Sequence, residues 1–153
     1  MTTTTVPTFP PAHAHVAPAA LHERLATVDL LAGCSRRELR IVARHCEDID
    51  VAAGTVLARA GDQPLNVFLV LDGGLHRRSP GGAIRPVPPG SEHGALDLIC
   101  GQPTEDDLVA TIDSSVAVLG ARGFKVLLRE LPPLNSAMMA WLAGRVRAVE
   151  RVA

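Results

Sequence analysis

The sequence has few cysteines and almost no lysine. The few cysteines exclude a disulfide-rich protein, and the scarcity of lysine reflects composition bias. Its three cysteines, Cys34, Cys46 and Cys100, are too few and too irregularly spaced for a disulfide framework. Because no Cys-x-x-Cys pair occurs, we expect a reducing compartment, the cytoplasm. Lys125 is the only lysine among fifteen basic side chains. With Ala, Gly, Val and Pro abundant, this bias indicates GC-rich coding rather than a binding surface.

The chain also lacks a basic stripe and a long apolar run. Fifteen basic and sixteen acidic side chains give a formal net charge of -1, so the usual electrostatic signature of nucleic-acid binding is missing. No apolar stretch approaches the roughly 20 residues that a membrane helix needs. The N-terminus shows no secretory signal. We therefore expect a soluble cytoplasmic protein that contacts neither nucleic acid nor membrane.

Catalytic motifs are absent too. The sequence contains no nucleophile elbow, P-loop or dinucleotide fingerprint, and Ser114-Ser115 fits an ordinary turn. We predict no catalytic residue and no enzymatic activity. His93, Asp97 and Cys100 could suggest a metal site, but they reproduce no known ligand spacing. A small buried thiol and an acid in the first turn of a helix are the favoured interpretation, without metal.

The pattern that is present fits one globular domain. At 153 residues, 47% of them hydrophobic and 20% charged, the chain can bury a core of its own. Residues 1–18 are rich in Thr, Pro and Ala without periodicity, which predicts a disordered tail. The domain is expected to extend over residues 19–153.

Helical periodicity occurs at both ends of this domain, in residues 19–46 and 121–153. The first part predicts a helix from residue 19 to Gly33. Ser35 and Glu38 then form a capping box that starts a second helix. Near the C-terminus, Pro132-Pro133 is expected to separate two helices.

Between these helices, over residues 47–120, the hydrophobic period changes to two. Short strands alternate with glycine-rich turns every 8–12 residues, which is typical of a small barrel or jelly roll. A short helix interrupts the strands near residues 95–99. The predicted fold is mostly β with flanking helices: a double-stranded β-helix, or jelly-roll, barrel.

This order of elements and its glycines resemble the cyclic-nucleotide-binding domain family, which includes catabolite-activator-type regulators and kinase regulatory subunits. The family's glycine pattern is echoed by AAGTVLARAGDQPLNVFLVLDGGL. Its phosphate-binding cassette, here residues 89–108, is echoed by GSEHGALDL and PTEDDLV. The resemblance covers about residues 21–153 and implies a regulatory, ligand-binding type of domain. Such regulators continue into a helix-turn-helix where this sequence stops, so we expect a stand-alone domain.

The sequence departs from the family at the residues that bind the nucleotide. The resemblance implies that a glutamate for the ribose 2′-hydroxyl is replaced by Ala95, and the arginine for the cyclic phosphate by Thr104. His93 stands where the family has an aromatic residue. The cassette positions that would contact a ligand are Gly94, Ala95, Leu96, Thr104 and Glu105.

The free energy of the lost and the repulsive contacts predicts how these departures affect nucleotide binding. One charge-assisted contact contributes about 1.5–3 kcal/mol, so loss of the arginine weakens binding by about one to two powers of ten. The acids at residues 105–107 add several kcal/mol of repulsion if they lie about 4 Å from a phosphate. Backbone amides at Gly94 and the following helix start still favour an anion. We predict a degenerate pocket without tight cAMP or cGMP binding, and no cofactor. A solvated loop is the simpler interpretation of residues 105–107, although a cation or partner surface stays open.

The last helix carries an apolar stripe that includes Met138, Trp141, Leu142 and Val149. This stripe could pack on the barrel, or bind a protein partner or a second copy of the chain, and both interpretations can hold together. We predict a regulatory or protein-interaction module that uses this helix and the acidic loop. The alternative is a true sensor of a cyclic nucleotide or another anion, which relays occupancy through the C-terminal helix.

Overall fold

A computed structural model describes residues 20–152 of the chain, without the side chain of Val152. The tail predicted for residues 1–18 lies outside the described residues. Within the described range, no helix combines the length and the apolar character needed to cross a membrane.

The elements follow the predicted order of helices, strands and helices. Before the strands come α1 (Leu21–Leu25), a 3-10 turn (Asp29–Leu31) and α2 (Arg36–Arg44). The strands are β1 (Cys46–Val51), β2 (Val56–Ala58), β3 (Asn66–Asp72), β4 (Leu75–Arg78), β5 (Ile84–Val87), β6 (Glu92–His93), β7 (Asp107–Ala110) and β8 (Ser114–Gly120). Helix α3 (Ala95–Cys100) lies between β6 and β7, and α4 (Ala121–Glu130) and α5 (Pro132–Val152) follow β8.

The eight strands form two antiparallel sheets of four strands each. Their orders are β1-β8-β3-β6 and β2-β7-β4-β5. One core lies between the sheets, where Phe68 and Val118 from the first sheet meet Leu75 and Leu108 from the second. The prediction of a jelly-roll barrel with flanking helices is confirmed.

A second core lies outside the first sheet and positions the C-terminal helices. Because side chains alternate along a strand, β8 sends Val118 inward and Leu119 outward to the helices. Phe124 of α4 and Leu134 of α5 are 1% exposed in this outer core. The start of α5 is therefore held against α4 and the 3-10 turn, on the outer side of the first sheet.

One detail of the predicted helices is wrong, and two are confirmed. A single helix from residue 19 to Gly33 does not form, because Val28 is extended and the amide of Asp29 donates to the carbonyl of Gly90 at 2.9 Å. The predicted break at Pro132-Pro133 is confirmed: α4 ends at Glu130, Leu131 is extended, and α5 begins at Pro132 with both prolines in its first turn, where proline is tolerated. The capping box is present: Ser35 Oγ accepts from the amide of Glu38, whose carboxylate accepts from the amide of Ser35.

Candidate functional site

The cassette begins where β6 turns into α3 at Gly94. His93 pairs with Phe68 of β3, which brings the following residue against the backbone of Asn66. Gly94 has φ +105°, and a Cβ at this position would lie 2.5 Å from the carbonyl oxygen of Asn66. Only glycine fits this turn without a shift of the backbone. The glycine of the cassette pattern is therefore required by the barrel itself, with or without a ligand.

The start of α3 is occupied by a carboxylate of the chain. The amide of Ala95 donates to Oε2 of Glu92 at 3.2 Å, and Ala95 is fully buried. Of the amides at Gly94 and the helix start that were expected to favour an anion, that of Ala95 is already engaged, because Glu92 lies only three residues earlier and folds back onto the helix end. Burial raises the pKa of Glu92, while its hydrogen bond with Ala95 acts in the opposite direction.

Thr104 is buried, with 6% of its surface exposed, and its backbone is tied to a neighbouring loop. Its amide donates to the carbonyl of Asp62 at 2.9 Å, and its carbonyl accepts from the amide of Gly61 at 2.7 Å. The position that carries the family's arginine is thus held in place by backbone bonds and supplies no charge.

A cavity of about 400 Å³ lies between the cassette, the barrel and α5. Gly94, Leu96 and Glu105, three of the predicted ligand-binding residues, line it. Ala95 and Thr104 do not line this cavity; Thr104 lines a smaller adjacent one of about 350 Å³. Gly94 lines both cavities, so of the five predicted positions Leu96 and Glu105 belong to the larger cavity, Thr104 to the smaller one, and Ala95 to a buried helix start.

Carboxylates dominate the charge of the larger cavity. Its wall carries two guanidinium groups, from Arg77 and Arg145, and five carboxyl groups, from Asp29, Glu92, Asp97, Glu105 and Asp106. Arg77 Nε lies 3.9 Å from Asp106 Oδ2. Asp97 and Glu105 have no ion-pair partner within 4.0 Å in the part of the chain that the structure describes. Burial, then the nearby charge of Glu105, raises the pKa of Asp97.

Asp107, the last acid of the predicted acidic loop, has a structural role instead. It accepts from the amide of Ala60 at 2.8 Å and from Arg78 at 3.0 Å. The hydrogen bond from Ala60, followed by that from Arg78, lowers the pKa of Asp107. The run of acids at residues 105–107 is thus split, with only the first two at the cavity.

His93 lies between the two cavities and lines both of them. It is 8% exposed, and its Nε2 has no hydrogen-bond partner among residues 20–152. Burial, and then the charge of Arg77, lowers its pKa to about 4. His93 is therefore neutral at neutral pH. The sequence showed only that it replaces an aromatic residue of the cassette pattern.

The four predicted residues of the interaction helix lie in different environments. Met138 is 3% exposed in the outer core, Trp141 and Leu142 are half-buried, and Val149 is 70% exposed. Trp141 lines the larger cavity, and the guanidinium of Arg145 lies 4.3 Å from the centre of its ring. Spacing of four residues on one helix could have identified this pair from the sequence.

Beyond Leu142, α5 extends away from the core. Every side chain from residue 143 to 151 is exposed. Met139 and Val146, which the sequence analysis did not select, are 64% and 57% exposed. With Leu142 and Val149 they recur at intervals of three and four residues, so they share one face of the helix. The helix is thus packed at its start, and its exposed apolar face begins at Met139 and continues to Val149.

The combination of His93, Asp97 and Cys100 does not form a cluster. Cys100 is exposed at the end of α3, so its interpretation as a small buried thiol is wrong, whereas His93 is buried. Among the residues described, no three His, Cys, Asp or Glu side chains are grouped as metal ligands.

No protein-family model and no curated protein matches the sequence. Solved structures do match. The catabolite activator protein of Thermus thermophilus aligns with TM-score 0.71 and 24% identity, over 80% of this chain and 60% of that one. The sensor domain of the transcriptional regulator DNR from Pseudomonas aeruginosa aligns with TM-score 0.70 and 15% identity, over 81% and 91%.

A third match is the regulatory subunit of a cAMP-independent protein kinase A from Trypanosoma brucei, as a triply substituted variant bound to cAMP. It aligns with TM-score 0.66 and 20% identity, over 77% of this chain and 44% of that one. This chain therefore spans less than two thirds of the Thermus and Trypanosoma proteins. At these identities the likeness establishes the fold. The resemblance predicted from the sequence is confirmed at that level: this chain has the fold of the cyclic-nucleotide-binding domains of regulatory proteins.

Proposed function

We propose that this domain is a regulatory module whose cassette does not bind cAMP or cGMP tightly. The observation that carries the proposal is the absence of positive charge on the cassette. Thr104 stands in place of the arginine, and Glu92 occupies the start of α3. Asp97 and Glu105 lie on the cavity wall without an ion-pair partner among residues 20–152. A cyclic phosphate entering this cavity would lose a charge-assisted bond and meet like charge.

The Trypanosoma protein supports this proposal through the spacing of its three substitutions. In the variant bound to cAMP, a glutamate is changed to alanine, a threonine seven positions later to arginine, and the next residue, a valine, to alanine. In this chain Asp97 lies seven positions before Thr104, and Glu105 follows directly. Both chains thus have an acid seven residues before a threonine. The residue after the threonine is a valine in the Trypanosoma protein and a second acid, Glu105, in this chain.

The test is a calorimetric titration with cAMP and cGMP. We expect no binding by the natural chain up to millimolar nucleotide. A variant with Asp97→Ala, Thr104→Arg and Glu105→Ala should gain at least tenfold in affinity for cAMP, because it acquires a charge-assisted contact and loses two repulsive ones. The matched control carries Asp97→Ala and Glu105→Ala alone.

Micromolar binding by the natural chain would contradict the proposal, whatever the variants do. Because Thr104 is buried, the arginine variant should first be compared with the natural chain by circular dichroism. Ala95→Glu, which tests the ribose contact, is added in a separate variant. Ala95 is fully buried, so a glutamate there is expected to reduce stability, and that effect must not be confused with the effect of Thr104→Arg.

The proposed route of regulation is protein contact through α5. Met139, Leu142, Val146 and Val149 form an apolar face along α5, and three of them are more than half exposed. A protein partner, or a second copy of the chain, would bury this face. We place this contact in the cytoplasm and assign the domain no catalytic role.

Light scattering tests this contact. We expect a homodimer that Val146→Glu and Val149→Glu convert to monomer, because a charge on the helix face cannot be buried without a partner. The control, Arg147→Glu and Arg151→Glu, introduces two acids on the same exposed part of the helix. A natural chain that stays monomeric and captures no partner would contradict this route.

A second candidate function, a small-molecule sensor, is favoured by one observation. Helix α5 supplies Ala137, Trp141 and Arg145 to the wall of the larger cavity. An occupant would therefore contact the same helix that carries the exposed apolar face. Trp141 fluorescence reports occupancy, and hydrogen exchange of residues 143–151 reports whether occupancy reaches the end of the helix.

A further inference from the structure

We infer that the larger cavity binds a small organic cation, a protonated amine or guanidine attached to an apolar body. This inference rests on the second candidate function, the sensor, and names its ligand class. It replaces the anion expected of the cassette with a ligand of the opposite charge.

The first argument is the charge of the wall. Five carboxyl groups face two guanidinium groups, and Arg77 is already engaged with Asp106. Asp97 and Glu105 are near enough for their charges to oppose each other, and neither has a partner among the described side chains. A ligand that carries positive charge and N–H donors would remove this repulsion and satisfy both carboxylates.

The second argument is independent of the carboxylates. His93 is more than nine-tenths buried at the cavity, and its Nε2 has no partner among residues 20–152. Phe68, which lies directly opposite His93 in the ladder, packs in the core between the sheets, so the imidazole shares that inward face. A neutral imidazole whose Nδ1 carries the proton offers Nε2 as an acceptor. Nε2 itself has almost no accessible surface, so an ammonium or guanidinium group supplies the missing donor once the imidazole ring turns toward the cavity.

The third argument concerns the size and the apolar surface of the cavity. About 400 Å³ is far more than a bare metal ion needs, and no group of metal-ligating side chains occurs among the residues described. Leu30, Val87, Leu96 and Trp141 supply apolar wall. The ring of Trp141 already contacts the guanidinium of Arg145 at 4.3 Å, so this part of the cavity accepts an organic cation.

Arg145 thereby acts as an internal competitor for an external cation. Its positive charge makes the electrostatic potential at Glu92 and Asp97 less negative, and its guanidinium covers one face of Trp141. Removal of this charge should strengthen cation binding and weaken anion binding. Because substitution of Arg145 should change cation affinity and anion affinity in opposite directions, it distinguishes a cation site from an anion site.

The experiment compares three probes that share one skeleton and differ in charge: benzylamine, benzyl alcohol and benzoate. Binding is measured by calorimetry and by Trp141 fluorescence, at low and at physiological ionic strength. We expect benzylamine to bind at least tenfold more tightly than benzyl alcohol, with no binding of benzoate. Equal binding of all three, no binding of benzylamine at tens of millimolar, or preference for benzoate would each overturn the inference.

Two sets of variants then locate the site. Asp97→Asn with Glu105→Gln should weaken benzylamine binding about tenfold or more, whereas the control Glu47→Gln with Glu130→Gln removes two acids elsewhere and should leave it unchanged. Arg145→Gln should strengthen binding about threefold to tenfold, and Arg147→Gln, two residues further along α5, should not. Reduced affinity of a folded Arg145→Gln protein, or an equal loss in the control set, would overturn the assignment.

Failure of this inference is separable from failure of the functional proposals. Benzylamine binding without altered hydrogen exchange in residues 143–151 would keep the cation site and exclude the sensor. Micromolar cAMP binding would exclude the degenerate cassette and the cation site together. Absence of binding by every probe would exclude the cation site and leave protein contact through α5 intact.

Discussion

Protonation of His93 should destabilise this domain as the pH falls below about 6.5. Burial lowers the pKa of this imidazole from 6.5 to about 4, so between these values the unfolded chain binds more protons than the native one. Stability contributed by the neutral imidazole is fully present above pH 6.5 and is lost as the pH falls toward 4. At about 1.4 kcal/mol per pH unit, the whole shift corresponds to about 3 kcal/mol.

Glu92 acts in the opposite direction over part of this range. Burial raises the pKa of its carboxyl group, so the native state binds its proton more tightly than the unfolded chain does. The resulting gain in stability appears as the pH falls through that raised pKa. The total pH profile therefore mixes both groups, and the contribution of His93 must be measured as a difference.

The assay is urea unfolding of the natural chain and of His93→Gln, from pH 7.5 to 4.5 at constant ionic strength. Between these limits the natural chain should lose about 2–3 kcal/mol more than the variant. The exposed His45, changed to Gln, provides the matched control. Parallel profiles for the natural chain and His93→Gln, or a pKa near 6.5 for His93 in an NMR titration of the native state, would refute the reasoning.

Three further predictions concern the free energy of unfolding in urea. Gly94→Ala should lower the free energy of unfolding by at least about 2 kcal/mol, because the left-handed φ and the carbonyl oxygen of Asn66, 2.5 Å from the new Cβ, both oppose a side chain. The control Gly54→Ala has the same left-handed φ but open space around it, so it should cost about 1 kcal/mol. Ser35→Ala should cost about 1 kcal/mol by removing the capping box of α2; an unchanged midpoint would contradict this. Phe124→Ala should cost about 3–5 kcal/mol through the cavity left in the outer core, and a loss below 1 kcal/mol would refute its role there.

Much of the fold was predictable because local signals agree with tertiary packing. The unbroken apolar run at residues 116–119 fits a strand that is buried on both faces, and β8 does lie between the two cores. The Ser35–Glu38 pair starts α2 without any help from distant residues. The predicted helix over residues 19–33 failed for the opposite reason. A contact with Gly90, some sixty residues away, draws Asp29 out of the helix, and no local pattern reports such a contact.

For the candidate site, the sequence predicted only which binding side chains of the cassette are missing. Substitution of the cassette arginine by Thr104 and of the glutamate by Ala95 can be read directly from the sequence, as can the acids that follow. The groups that give the cavity its present character could not be read in this way. Arg77 comes from β4 and Arg145 from α5, and they meet the cassette only because the two sheets close and α5 packs on the 3-10 turn, across the cavity from the cassette.

The sequence by itself determined the order of elements, the turn glycines and the missing side chains of the cassette, because each depends on residue type and short-range spacing. Tertiary structure decided the rest. It placed Glu92 on the start of α3, buried His93 between two cavities, and packed the start of α5 while leaving its end exposed. Burial and charge proximity depend on which distant segments meet, and they set both the pKa of His93 and the negative potential of the cavity.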